Sequence, residues 1–179
     1  MSDEAFEQVV VTYHTALFRF ALSLARNAAD ADDLTQQTFY VWATKGHTLR
    51  DPSKLKTWLF TTLYREFLKG RRRSTRHVAF EDLPPTEQDP PDIEVSAINR
   101  MDADLVLAAL QDVTPIAREP LNLFYLQNMS YLEIAEVLDV PIGTVMSRLS
   151  RGKAQLRTLL AQKATEGKII EFPQQGTGS

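Results

Sequence analysis

Apolar residues recur at three- and four-residue spacing through most of the chain, the period of a helix buried along one face. Val9, Val10, Tyr13, Leu17, Phe20, Ala21 and Leu24 form a first stripe. Leu34, Thr38, Val41 and Trp42 form a second, and Leu55, Trp58, Leu59, Thr62 and Leu63 a third. The period is lost between Ser74 and about Ser96, where Pro84, Pro85, Pro90 and Pro91 remove donors that a helix interior needs. It resumes at Ile98 with Met101, Leu105, Leu107, Ala108 and Leu110 and runs to about Leu160. The pattern predicts an all-α fold of two small helical domains, 1–73 and 99–160, joined by a proline-rich linker over 74–98. A tail over 161–179 follows; it is expected to fray, with KIIEF a segment able to dock.

Inside the second domain the spacing tightens into a helix-turn-helix. Ser130 followed by Glu133 is a capping box, in which hydroxyl and carboxylate satisfy reciprocal orphan amides, so a helix is expected to start there. Asn128 suits the left-handed conformation that closes the preceding helix. Ile134, Ala135 and Leu138 supply an inward face. Val140-Pro141 ends this helix and begins the next, because the residue before proline avoids helical angles and proline suits a first turn. Upstream, Pro120 lies within a helical stretch from Pro115 to Gln127 and is expected to kink it or push its start to Glu119. Val145, Leu149 and Leu156 point inward, which leaves Thr144, Met146, Ser147, Arg148, Arg151 and Lys153 mostly outward. Hydroxyls and cations without an acid suit a helix in the major groove of DNA, where Arg pairs with guanine and Ser, Thr and Lys hold phosphates. On pattern alone, a surface helix with solubilising charge remains the alternative.

Composition narrows the class. Of 179 residues, 44% are hydrophobic and 24% charged, as in a soluble globular protein. The acidic start MSDEAFEQ and the interruption of ALFRFALSLA by Arg19 speak against a signal peptide or membrane insertion. Cysteine is absent, which excludes disulfides, thiolate chemistry and cysteine-based zinc sites and fits a reducing cytoplasm. His14, His47 and His77 lie in separate segments with no metal-ligand spacing, and no Gly-rich phosphate loop is present, so neither an enzyme nor a cofactor or metal is expected. The net charge of -3 conceals a segregation: residues 45–77 hold ten Lys/Arg against Asp51 and Glu66, whereas residues 78–104 hold eight acids against Arg100. A basic block suggests a polyanionic partner and an acidic neighbour something that covers or mimics it; two solvated faces would look the same.

Three stretches together resemble the extracytoplasmic-function (ECF) sigma factors, small two-domain initiation subunits of bacterial RNA polymerase. DADDLTQQTFYVWA (30–43) resembles their core-binding segment, LKTWLF with KGRRR (55–73) their helix for the downstream promoter element, and YLEIAEVLDVPIGTVMSRLSRGKAQLR their reader of the minus-35 element. The resemblance covers about 5–73 and 102–160. It implies a monomer that binds core polymerase through the beta-prime clamp helices and the beta flap. Asp30, Asp32, Asp33, Leu34, Gln36, Gln37, Phe39 and Trp42 would lie on or under the polymerase-facing surface; the carboxylates also suit a first helical turn through the helix dipole alone. Downstream promoter DNA would meet Lys54, Lys56, Tyr64, Arg65, Lys69, Arg71, Arg72 and Arg73, with Tyr64 or Phe60 as a stacking surface and residues 45–54 as the loop that captures a flipped base. Trp58 fits the core better than a base platform. Upstream DNA would meet the outward residues from Thr144 to Lys153. The acidic linker would thread the polymerase, and an anti-sigma factor is the expected regulator. Gln37 and Met146 replace a frequent Glu and Lys, Arg65 and Lys69 stand where Asn and Asp are common, and Asp139 replaces a turn glycine, tolerably because Asp visits the left-handed region. A stand-alone helix-turn-helix repressor is the rival, though it leaves DADDL and the acidic tether without a role.

Overall fold

A computed structural model describes residues 3–74 and 103–169. Most of the expected linker, the side chains of Arg72 and Arg73, and the tail beyond Ile169 lie outside the described residues. Every regular element among those described is helical.

Helix α1, Asp3–Ala25, starts with Asp3 and Glu4 in its first turn, where carboxylates favour the dipole, and buries Leu17, Phe20 and Ala21. Arg26 then takes the left-handed conformation (φ 63°), and Asn27 caps α2, Ala28–Lys45, its side chain accepting from the Asp30 amide at 2.9 Å. Two residues thus turn the chain back, so α1 and α2 pack side by side. On α2, Ala31, Thr35, Thr38, Phe39 and Trp42 face the core; the two threonine hydroxyls bond back to Ala31 and Leu34 carbonyls at 2.8 Å, which keeps them satisfied there. Short 3-10 turns, Gly46–Thr48 and Pro52–Lys54, lead into α3, Leu55–Ser74. Leu59, Phe60, Leu63 and Tyr64 are buried, with Phe60 against Phe20 at a ring separation of 5.4 Å.

In the second half, α4 is Ala103–Asp112 and α5 is Pro115–Leu121, which continues as a π-helical turn, Asn122–Leu126. Pro120 therefore does not move the helix start to Glu119. The helix begins at Pro115, and just past Pro120, which cannot donate to the preceding turn, the backbone widens. Asn128 closes the segment at φ 51°, with the Met129 amide bonded to the Leu123 carbonyl at 3.1 Å, as the sequence predicts. Helix α6, Tyr131–Leu138, and helix α7, Ile142–Ile169, complete the fold. Helix α7 runs well past Leu160, where the domain was expected to end.

The two halves share one apolar core. Helix α3 lies against α6, and α1 touches α4, α5 and the π turn.

Candidate nucleic-acid interface

The helix-turn-helix assembles from local chemistry. Ser130 Oγ accepts from the Glu133 amide at 3.3 Å while the Glu133 carboxylate accepts from the Ser130 amide at 2.9 Å, and that amide holds the Glu133 carboxyl below its ordinary value. Asp139 sits in the left-handed region (φ 53°), filling the place of a turn glycine. On α7, Val145, Leu149 and Leu156 are buried as expected. Gly152 is the close crossing of α7 over α5: a Cβ there would lie 2.7 Å from Leu121 Cδ1.

Of the residues expected to read upstream DNA, Met146 is exposed and Thr144, Ser147, Arg148 and Arg151 are half-buried. Lys153 departs from the expectation. It is only 3% exposed, its ammonium 5.2 Å from the Phe124 ring centre and 3.4 Å from the Tyr131 hydroxyl. Its aliphatic stem fills the core and its charge rests on an aromatic face, so it is not on the outward surface.

On the first half, Asp30, Asp33, Gln36 and Gln37 are exposed along α2, Asp32 and Leu34 are half-buried, and Phe39 and Trp42 lie beneath them. Asp32 accepts from Gln36 at 2.7 Å and Asp30 from Asn27 at 2.7 Å, so part of this acidic face is ordered by its own helix. Trp42 packs edge-on to Trp58 at 5.3 Å, with Trp58 half-buried, and Gly46 lies directly under the Trp42 ring.

The basic segment from Lys54 through α3 divides. Lys54, Arg65, Lys69 and Arg71 are exposed, Lys69 pairing with Glu66 and Arg71 lying 5.7 Å over the Phe67 ring. Lys56, Phe60 and Tyr64 do not offer the surface expected of them. Phe60 is fully buried, the Lys56 ammonium donates to the Gln127 carbonyl, and the Tyr64 hydroxyl donates to Glu119 at 2.9 Å inside the boundary between the halves. Burial lowers the Lys56 pKa and raises that of Tyr64.

Sequence reasoning missed the residues that join the halves. The Arg118 guanidinium donates to the carbonyls of Leu110, Gln111 and Val113 at 2.7–2.9 Å and to Ser23 at 3.3 Å, so one cation serves the C-terminal ends of α4 and α1 together. Beside it Glu119 is buried, and burial raises its pKa against the opposing pull of Tyr64, Arg148, Arg71 and Arg118. The available signal was the charged pair itself, set in the otherwise apolar run PIAREPLNLFYL. A cleft of about 840 Å³ opens between the halves, lined by Asp30, Asp33 and Arg71 of the first and Arg118 and Glu119 of the second.

Among the described residues, no three His, Asp or Glu side chains gather as metal ligands, and no helix is long and apolar enough to cross a membrane.

The family description Sigma-70 region 2 matches residues 9–77, and Sigma-70, region 4 matches residues 103–156. The chain is 33% identical over 167 residues to the ECF RNA polymerase sigma factor SigE of Mycolicibacterium smegmatis, covering 90% of this chain but 64% of that one. It is 30% identical to the ECF sigma factor SigL of Mycobacterium tuberculosis, covering 90% of this chain and 92% of the relative. The sigma factor RpoE of Bartonella quintana, solved with the anti-sigma factor NepR, superimposes with a TM-score of 0.66 at 27% identity, over 88% of this chain and 98% of that one.

Proposed function

The chain belongs to the ECF family of RNA polymerase sigma factors, and from that premise we propose how its surfaces divide the work of transcription initiation. The observation that carries the reading is the presence, in order on one chain, of a region 2 match over 9–77 and a region 4 match over 103–156 that contains a capped helix-turn-helix. A stand-alone repressor leaves the first match without a purpose and is not favoured.

Core polymerase docks on the α2 face from Asp30 to Trp42, whose exposed carboxylates and amides complement a basic or polar partner. Lys54, Arg65, Lys69 and Arg71 hold phosphates of the downstream element, which makes binding salt-sensitive. Thr144, Met146, Ser147, Arg148 and Arg151 read the upstream element. The free energy for strand separation comes from these contacts, and the chain acts as a non-catalytic subunit in the cytoplasm. An anti-sigma factor restrains it; the likeness to RpoE, solved with NepR, supports that partner.

Run-off transcription on fragmented genomic DNA, with purified core polymerase with and without the chain, tests the reading. Discrete new start sites sharing a motif are expected. Retention of specific duplex by the chain alone, with no new starts, would instead support the repressor.

A further inference from the structure

Two of the large apolar side chains that the fold leaves exposed, Ile142 at 43% and Met146 at 52%, stand one turn apart on α7. Both lie in its first two turns, the part of a reading helix that meets base edges in a helix-turn-helix. Neither is spent on the core, which α7 reaches through Val145, Leu149 and Leu156. Gly143 falls between them in sequence, and nothing lies within 4 Å of where a Cβ would stand there, so the surface beside the pair is open. The polar neighbours are set further back. Thr144, Ser147 and Arg148 are half-buried, and the Ser147 hydroxyl donates to the Thr144 carbonyl at 3.1 Å, which leaves it only acceptor capacity toward a base. What these turns hold foremost is hydrocarbon and a thioether. On the major-groove edges of the four bases, the one apolar group displayed is the C5 methyl of thymine.

We infer that Ile142 and Met146 form an apolar strip that takes thymine C5 methyl groups of the upstream element, so that part of this sequence is read by methyl burial and not by hydrogen bonds. This rests on the sigma-factor reading and names what the helix reads. Ile142 is stiff and presents a fixed shape, whereas Met146 is unbranched and polarizable and can follow a methyl group. Residues four apart are separated by about 6 Å along a helix, and successive base pairs by about 3.4 Å along a duplex, so the two methyls lie within about two base steps of each other. The strip carries no charge. It therefore sets sequence preference and leaves the phosphate attraction, and with it the salt dependence, to the cations. Single exposed apolar residues are ordinary on any surface; a pair on one face of a reading helix makes a prediction about bases.

Deoxyuridine removes the C5 methyl of thymine and keeps its pairing and its O4 acceptor. Promoters found by the run-off experiment are rebuilt with deoxyuridine at each upstream thymine in turn, and their binding to the holoenzyme, core polymerase with the full chain, is compared with that of the thymine parent. Affinity is expected to fall about fourfold at one or two neighbouring positions, the worth of one buried methyl at each. The penalty should vanish in a chain carrying both Ile142→Ala and Met146→Ala and persist in Met146→Leu, with the salt slope of binding unchanged in all. Both side chains are exposed, so these variants should melt with the parent. No penalty for deoxyuridine at any position overturns the inference, as does a penalty that survives in the double variant, which reflects duplex shape. Should no start site appear, the sigma-factor reading fails. Duplexes that the chain alone retains from a random pool then undergo the same comparison, and retention without a thymine preference, or no retention, overturns the methyl-reading strip as well.

Discussion

Lys153 and Arg148 leave α7 little more than one turn apart and meet opposite surroundings. Arg148→Ala is expected to lose about 1–3 kcal/mol of discrimination among upstream sequences if its guanidinium contacts a base; a uniform loss on all sequences indicates a phosphate contact. Lys153→Ala should instead lower stability by about 1–2 kcal/mol, through lost packing and the Phe124 contact, and leave the salt slope of DNA binding unchanged. Equilibrium denaturation beside salt-dependent binding separates the two. At the cap, Ser130→Ala should cost about 1 kcal/mol. The Glu133 carboxyl lies below its ordinary value of 4.5, so the stability it contributes is fully present above that value and is lost as the pH falls through the depressed one. Denaturation from neutrality to about pH 3 should show Glu133→Gln and the parent converging at the acid end, once the parent's carboxyl is protonated. Ser130, Asn128 and Asp139 were legible in the sequence because each signal is complete within a few residues. Lys153 was not, since its direction is decided by Phe124 and Tyr131 on other elements.

Among the elements, the helices were legible from period and the way they fit together was not. Periodicity marks which face of a helix is apolar, yet it does not say how near the neighbour comes. Gly46 and Gly152 carry that information here. Neither has a left-handed backbone; both are needed for space, under the Trp42 ring and against Leu121. Gly46→Ala would place a Cβ 2.5 Å from Trp42 Cε3 and should destabilise by about 1–3 kcal/mol. The chain holds two tryptophans, Trp42 and Trp58, in mutual contact, so their fluorescence should report the displacement directly. Pro120 is the other instructive element. Its missing amide was read as a kink or a start at Glu119; the helix instead begins at Pro115 and is followed directly by a π turn.

For the whole molecule, the two helical domains were legible in the periodicity, whereas the way they close on one another depends on contacts between residues far apart in sequence. Arg118 reaches Ser23 across 95 positions and Tyr64 reaches Glu119 across 55. No local pattern encodes such pairs. Arg118→Met would remove four hydrogen bonds, with the Leu110 carbonyl keeping the Val113 amide and the Gln111 carbonyl keeping Arg26, and should lower stability by roughly 2–5 kcal/mol. Because the same guanidinium ties α1 to α4, calorimetry is expected to show one transition for the parent and a broadened or split one for the variant, as the halves lose their coupling. A single sharp transition at a lower temperature would mean that the shared apolar core alone couples them.

The continuation of α7 to Ile169 has a practical consequence for building with this scaffold. At a rise of about 1.5 Å per residue, the rod places its far end some 30 Å from Arg148. A fluorescent protein, a degradation tag or a ligand-responsive module spliced there would be carried on a stiff boom, clear of the reading face yet held in fixed orientation to it, and the Lys163–Asp112 ion pair at 3.0 Å marks where that boom is still moored to the body.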